Sequence, residues 1–198
     1  MIRNKKFVPV QPSKLWGYAC TITLLFSACQ DQKKMDNTRL IPYLLKNGRY
    51  VYVDAAGKKV IDHPYDKAGL FKNGLGIVEE QDKEYFITQS GEKAFSIAFD
   101  RVKSFKDGVA RVKLNGKWGC IDRQGRVLIE PVWDQMGEFN EGLAAVKNQD
   151  KWGFIDGKGK VAVPLSYDDV SDFKNGFSWV TQNGASFYID KQAKAWRE

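Results

Sequence analysis

A period of about 34 residues runs through most of this 198-residue chain. The motif Phe-x-x-Gly occurs four times at one constant spacing, with copies that begin at Phe71, Phe105, Phe139 and Phe173. A fixed period of this length is the signature of one supersecondary unit stacked on copies of itself. Fold and function must therefore be interpreted repeat by repeat.

Three further sets of positions keep the same spacing. One set pairs an apolar residue with Asp or Thr, at Val53-Asp54, Ile87-Thr88, Ile121-Asp122, Ile155-Asp156 and Ile189-Asp190. The second set is glycine, at Gly57, Gly91, Gly125 and Gly159. The third is an aromatic residue followed by Asp, at Tyr65-Asp66, Phe99-Asp100, Trp133-Asp134 and Tyr167-Asp168.

Turn residues divide each repeat into short strands. Asn115-Gly116 is the strongest local signal for a two-residue hairpin turn. Asp122 with Gly125 predicts a second turn, in which the Asp side chain binds backbone N–H groups and Gly supplies a positive φ. Strand-forming segments of four to six residues between such turns predict an antiparallel meander. The helical repeats that share this period are excluded, because no unit has the apolar spacing of a helix.

The two central repeats carry a recognisable motif. Gly116-Lys-Trp-Gly-Cys-Ile-Asp122 and Asp150-Lys-Trp-Gly-Phe-Ile-Asp156 resemble the WG-repeat (KWG-repeat) family of bacterial proteins, over residues 49–190. The outer units lack the Trp-Gly pair and have Tyr50-Val51, Glu84-Tyr85 and Ser186-Phe187 in its place. The resemblance implies a β-rich fold and no general enzymatic activity.

We therefore expect one all-β domain over residues 40–198, with four periods and a partial fifth of short antiparallel hairpin strands stacked as a solenoid-like array. A small β-propeller is the structural alternative, although one period is short for a four-stranded blade.

Residues 1–28 predict an export signal. They hold four basic and no acidic residues, followed by an apolar run too short to span a bilayer. Cys29 after Ser27-Ala28 resembles the bacterial lipobox, with Phe26 where Leu is usual, so Cys29 is the expected lipidation site and the membrane a partner through that anchor. Gln30 favours the outer membrane, and the face, periplasmic or cell-surface, is left open. Residues 29–39 are polar and predict a flexible tether.

Removal of the leader changes the charge and cysteine arguments. The chain has 31 basic and 24 acidic residues, so loss of four basic residues leaves 27 against 24. That balance, with both signs interspersed, excludes a nucleic-acid partner. Cys120 then remains as the third cysteine, so no intramolecular disulfide is expected. We call the equivalent positions of successive repeats a column. The column of Cys120 is otherwise aromatic, which predicts that Cys120 is a small buried hydrophobic residue.

Catalytic and metal chemistry have little support in the residues. The repeated aspartates lie beside glycine turns, which indicates turn residues, since a catalytic pair is needed once. His63 has no partners with metal-site or triad spacing. We therefore expect no enzyme, cofactor or metal. The weakest alternative is a glycan-active enzyme that uses Glu79 with Glu80, or Glu130 with Asp134.

Aromatic columns are the candidate ligand-binding residues. Trp118 and Trp152 share one column, and Trp133 and Tyr167 share another. Such columns serve either as the core between repeats or as an exposed platform for sugars or proteins. Trp179 belongs to one repeat alone and, with Trp196, is the candidate for an exposed or capping aromatic.

These observations favour a lipid-anchored, non-enzymatic module of the cell envelope that binds a protein partner. The alternative is a module that binds envelope polysaccharide. Strands at either end of the array could also pair with another copy of the chain.

Overall fold

The structure is a computed structural model that describes residues 39–196, and within that range the regular secondary structure is β-strand. Contacts divide the chain into two compact units, and the second begins at Leu40. The predicted leader, the expected lipidation site Cys29 and most of the predicted tether lie outside the described residues. Residues 39–196 contain no helix with the length and hydropathy of a membrane span.

Within residues 39–196 eighteen strands form five antiparallel sheets, and each sheet is a meander in which neighbours in sequence are neighbours in space. The first two sheets have three strands each: β1 (Ile41–Leu44), β2 (Tyr50–Val53) and β3 (Lys59–Tyr65), then β4 (Lys67–Ala68), β5 (Gly76–Glu80) and β6 (Lys83–Ile87). The third sheet has four: β7 (Arg101–Val102), β8 (Val109–Leu114), β9 (Lys117–Asp122) and β10 (Val127–Trp133). The fourth has β11 (Gln135–Asn140), β12 (Leu143–Asn148), β13 (Lys151–Asp156) and β14 (Val161–Tyr167). The fifth has β15 (Asp169–Val170), β16 (Phe177–Gln182), β17 (Ala185–Asp190) and β18 (Ala195–Trp196).

The all-β repeat prediction is confirmed, and one period of the sequence proves long enough for four strands. It suffices because the connections are short: in the fourth sheet two residues separate β11 from β12 and β12 from β13, and four separate β13 from β14. The second sheet has three strands because residues 88–99 make only isolated bridges to β6 where the other sheets have their last strand.

The predicted turns are present. Asn115 and Gly116 have φ of 51° and 80°, the pair of positive values that a type I′ hairpin turn requires. Asp122 Oδ1 accepts hydrogen bonds from Gln124 N and Arg126 N, both at 2.9 Å, and Gly125 has φ of 77°. The Phe-x-x-Gly motif is also explained, since its last two residues form a further tight turn before the second strand, as Glu141 (φ 51°) and Gly142 (φ 86°) do.

The core consists of the layers between consecutive sheets. Between the fourth and fifth sheets, for example, Phe154 and Val163 pack with Val180 and Ile189, and all four side chains are buried. Each layer is built from one face of a sheet and the opposite face of the sheet that follows it. A repeat in the middle of the array is therefore covered on both faces, as expected for stacked units.

Candidate functional site

One ring–ring contact recurs between consecutive sheets. An aromatic residue in the centre of one sheet packs against the Phe of the next Phe-x-x-Gly motif along the chain. The ring centroids are 4.7–5.0 Å apart in the pairs Tyr52–Phe71, Phe86–Phe105 and Phe154–Phe173. Aromatic pairs in this range stabilise beyond the area they bury.

In the fifth sheet the same column is uncovered. Tyr188 stands in the position of Phe154, but its exposed fraction is 51% whereas that of Phe154 is 1%. No further repeat comes after the fifth sheet within the described residues, so no Phe-x-x-Gly ring lies over Tyr188. The face of the fifth sheet that carries Tyr188 is thus open to solvent, whereas the equivalent face of an earlier sheet packs against the next repeat.

Tyr188 is the centre of an aromatic cluster that crosses three strands. It lies directly opposite Trp179 on β16 and Trp196 on β18. The rings of Trp179 and Tyr188 meet edge-on at 4.7 Å, and those of Phe177 and Trp196 meet edge-on at 6.0 Å. Each of the four side chains is 40–52% exposed. Together with the turn at residues 172–175 they line an open groove of about 980 Å³, which we call the aromatic groove.

The backbone beneath the groove is fixed by polar side chains. Ser171 Oγ accepts a hydrogen bond from Trp179 N at 2.9 Å, and Ser178 Oγ donates one to Ser171 O at 2.6 Å. Glu141 Oε2 accepts a hydrogen bond from Gly176 N at 3.0 Å, and this bond, with Lys191 nearby, lowers the pKa of Glu141. The strand that carries Phe177 and Trp179 is therefore held in place before any ligand arrives, which reduces the entropy lost on binding.

The sequence-predicted candidates fall into two groups. Trp179 lies in the aromatic groove, in agreement with the expectation that it is exposed. Trp118 and Trp152 are half-buried and lie opposite Trp133 and Tyr167 respectively, both of which are buried. These two columns contribute to the layers between sheets and do not form a flat exposed platform.

The aspartates that follow the aromatic column, Asp100, Asp134 and Asp168, tie consecutive sheets together. Asp134 Oδ1 accepts from Lys117 Nζ on β9 of the third sheet, and Asp134 Oδ2 accepts from Gln149 N, 3.1 Å away in the β12–β13 turn of the fourth. The lysine bond is the main reason, and the backbone bond the second, that the pKa of Asp134 is lowered. Asp100 and Asp168 make the corresponding contacts, and their pKa values are lowered for the same two reasons.

Three of the four carboxylates considered for glycan chemistry have partners, namely Asp134 as described above, Glu79 and Glu80, whereas Glu130 is exposed on β10. Glu79 is buried and paired with Lys67 at 2.8 Å and Arg101 at 3.2 Å. Glu80 Oε1 lies 2.9 Å from His63 Nε2. Among residues 39–196 no three His, Cys, Asp or Glu side chains come together as a potential metal site.

The family assignment rests on a match over most of the repeat region. The model described as "WG containing repeat" matches four consecutive segments, at residues 52–83, 86–118, 118–152 and 152–184. The chain belongs to the WG-repeat family. The four matches agree with the family resemblance that the central repeats carry.

The Trp-Gly pair that names the WG repeats has a steric reason in this structure. A Cβ atom on Gly119 would lie 2.4 Å from Ile129 O, and one on Gly153 would lie 2.6 Å from Val163 O. Both contacts are with backbone atoms of the neighbouring strand, whose register shifts there next to Pro131 or Pro164. Glycine after Trp thus lets the last strand of the sheet approach the third closely.

Solved structures similar to this WG-repeat chain share little sequence with it. BamB from Moraxella catarrhalis is 10% identical, over 80% of this chain and 57% of that chain, with a TM-score of 0.47. Kluyveromyces lactis Hsv2 is 10% identical, over 81% and 60%, also with a TM-score of 0.47. A protein of unknown function from Bacteroides caccae is 17% identical, over 81% and 72%, with a TM-score of 0.36. The chain spans less than two thirds of the length of the first two, and no likeness at this level bears on function. No curated protein matches the chain.

Proposed function

We propose that this chain is a non-enzymatic binding module of the bacterial cell envelope that holds a partner protein in the aromatic groove. The observation that carries the proposal is the exposure of Tyr188. Its column is covered by a Phe ring of the next repeat at Tyr52, Phe86 and Phe154, so its ring presents a surface already suited to protein side chains.

Exposed aromatic side chains in a pre-formed groove are typical of the residues that dominate protein–protein affinity. Trp179, Tyr188 and Trp196 are of the types enriched at such interfaces, and the serine contacts beneath them keep β16 in place. The partner that fits this groove offers apolar side chains, which would cover the rings as Phe173 covers Phe154.

Ring orientation favours protein over carbohydrate. The planes of Trp179 and Tyr188 are inclined by 65°, and those of Phe177 and Trp196 by 86°. Neighbouring rings therefore do not form the flat platform on which a sugar face stacks. An irregular apolar surface is better matched by side chains than by a pyranose ring.

Carbohydrate binding is the second candidate, and one observation favours it. Polar side chains of Asn140, Asp172 and Asn175 line the same groove as the two exposed tryptophans. Apolar walls with a few convergent polar groups are typical of small-ligand sites. Envelope polysaccharide is the corresponding ligand class.

Attachment to the outer membrane through lipidated Cys29 completes the proposal, with the periplasmic or the cell-surface face as the place of action. Its support is the sequence of residues 1–29. Incorporation of radiolabelled palmitate into the chain, abolished in Cys29→Ser, is the expected result. A Cys29→Ser protein that keeps the label would contradict it.

Site-specific photocrosslinking tests the partner. Trp196 is replaced by benzoylphenylalanine in one variant, and Val132, which is equally exposed on β10 at 50%, in a matched control. We expect one discrete crosslinked protein from position 196, absent from position 132 and lost when Trp179→Ala is added. A glycan that binds the groove, with no protein product at position 196, would instead establish the carbohydrate alternative. Product mass distinguishes a second copy of the chain from a different protein.

A further inference from the structure

The boundary between the third and fourth sheets departs from the ring–ring contact of the other boundaries. Cys120 occupies the aromatic column there, and Met136 lies against it, with 3.8 Å between the two sulfur atoms. The small thiol in one sheet is matched by a larger side chain in the next. The corresponding pairs are Tyr52 with Ala68, Phe86 with Val102, Cys120 with Met136, and Phe154 with Val170.

The larger Met136 side chain does not fill all the space that the small Cys120 side chain leaves between the third and fourth sheets. A cavity of about 170 Å³ remains, with buried Cys120 and Ile129 and half-buried Phe139 among its lining residues. It reaches solvent between exposed side chains such as Lys103 and Leu128. An apolar cavity of about 150 Å³ is known to be large enough to bind benzene. The space is therefore sufficient for one aromatic ring.

Cationic side chains stand at this cavity. Arg111 lies directly opposite Cys120 in the β8–β9 register, in a column that otherwise holds Tyr43, Ile77, Ala145 and Trp179. Its guanidinium is held by a hydrogen bond to Met136 O at 2.7 Å and by Glu138 at 3.2 Å. Lys103 and Lys106 also line the cavity, as do the carboxylates of Asp107 and Glu138, and Lys106 Nζ lies 3.0 Å from Glu138 Oε2. The cations thus outnumber the anions by three to two.

We propose that this cavity binds a small aryl carboxylate. The aromatic ring takes the place of the side chain that Cys120 lacks and packs against Phe139, as Phe86 packs against Phe105. The carboxylate binds beside Arg111 and Lys103, because a guanidinium offers charge-assisted hydrogen bonds to planar anions. The two residues that set this repeat apart, Cys120 and Arg111, supply the space and the charge respectively.

Calorimetric titration of the purified whole chain with phenylacetate tests the proposal, with acetate and toluene as partial ligands. We expect saturable one-to-one binding of phenylacetate and none of acetate. Cys120→Phe/Met136→Val reproduces the Phe86–Val102 and Phe154–Val170 pairs and should abolish binding of phenylacetate and toluene alike. Arg111→Ala should weaken phenylacetate about tenfold or more and leave toluene unchanged. Tyr188→Ala, in the aromatic groove, should change neither.

A measurement on the unaltered protein removes dependence on how the variants fold. Nuclear Overhauser contacts are expected from the phenylacetate ring protons to the methyl groups of Ile129 and the ring of Phe139. Absence of saturable binding would overturn the proposal. So would binding that survives in Cys120→Phe/Met136→Val, or contacts to Tyr188 and Trp196 in place of Ile129. The absence of binding leaves the protein-binding role of the aromatic groove untouched, so the two proposals can fail separately.

Discussion

The ring of Phe154 meets the ring of Phe173 edge-on, with 4.7 Å between their centroids, across the boundary between the fourth and fifth sheets. Phe173 belongs to the motif that opens the fifth repeat, and Phe154 to the centre of the fourth. One contact therefore links the most regular sequence motif of the chain to the burial of its core. The same column shows the effect of losing that partner, because Tyr188 stays exposed.

Truncation in this column should destabilise the protein much more at Phe154 than at Tyr188. Phe154→Ala leaves a cavity between two sheets and should lower the free energy of unfolding by about 3–5 kcal/mol. Tyr188→Ala removes exposed cross-strand contacts and should cost less than about 1 kcal/mol. Urea denaturation followed by circular dichroism measures both. Equal losses would show that the fifth sheet is covered in solution.

Gly153 should not tolerate a methyl group. Its Cβ would lie 2.6 Å from Val163 O and 2.8 Å from Leu165 N, so Gly153→Ala should destabilise the protein by about 1–3 kcal/mol. Gly157→Ala is the matched control, since a Cβ there has no neighbour within 4 Å and should change stability by less than about 0.5 kcal/mol. Thermal melting compares them. Two unchanged melting temperatures would refute the steric account of the Trp-Gly pair.

Asp134 should stabilise the fold through its charge. Its folded-state pKa is lowered, mainly by Lys117, so this stabilisation is present above the unfolded-state pKa of about 3.9 and is lost as the pH falls through the lower folded-state value. Asp134→Asn should melt at a lower temperature than wild type at pH 7, with the difference closing below about pH 4. The control is Asp150→Asn, whose side chain is 99% exposed. A pH-independent difference would exclude this linkage.

Cys120 should resist alkylation in the folded protein. Burial raises the pKa of its thiol to about 12, so the reactive thiolate is scarce at pH 8. Iodoacetamide should therefore modify the peptide that contains Cys120 only after denaturation, as mass spectrometry would record. Tyr188→Cys places a thiol in the same column on the open face and should react in the native state. Rapid native labelling of Cys120 would contradict its burial.

Iodide quenching should separate the tryptophans by column. Trp179 and Trp196 are 45% and 52% exposed, whereas Trp133 is buried. The quenchable fluorescence should fall in Trp179→Phe and in Trp196→Phe and persist in Trp133→Phe. Loss of that component in Trp133→Phe instead would place the open aromatic surface elsewhere.

The sequence predicted those features that depend on one repeat alone. Asp122 and Gly125 form their turn from side-chain and backbone chemistry within one short segment, so spacing was enough to identify it. The burial of Cys120 followed from its column in the same way. These features needed no knowledge of how the sheets pack.

Features that depend on two repeats together could not be predicted from the sequence. The bond from Lys117 to Asp134 joins two sheets, so the aspartate column appeared to be made of turn residues alone. The cavity beside Cys120 depends on the size of Met136, which belongs to the next sheet. The exposure of Tyr188 likewise depends on whether another sheet packs over it. For Tyr188 the column gives the residue type, and the absence of a covering sheet among the described residues decides its exposure.

The match between Cys120 and Met136 also restricts how the repeats can be reordered. At the other boundaries a large ring meets Ala or Val, so exchanging those repeats would leave the sizes of the facing side chains nearly unchanged. A duplication or exchange that moved the third repeat next to Val170 would set a thiol against a small side chain and leave a larger void. One that set Phe86 against Met136 would bring two large groups into one space. Steric complementarity at this one boundary thus keeps the third and fourth repeats next to each other in this order.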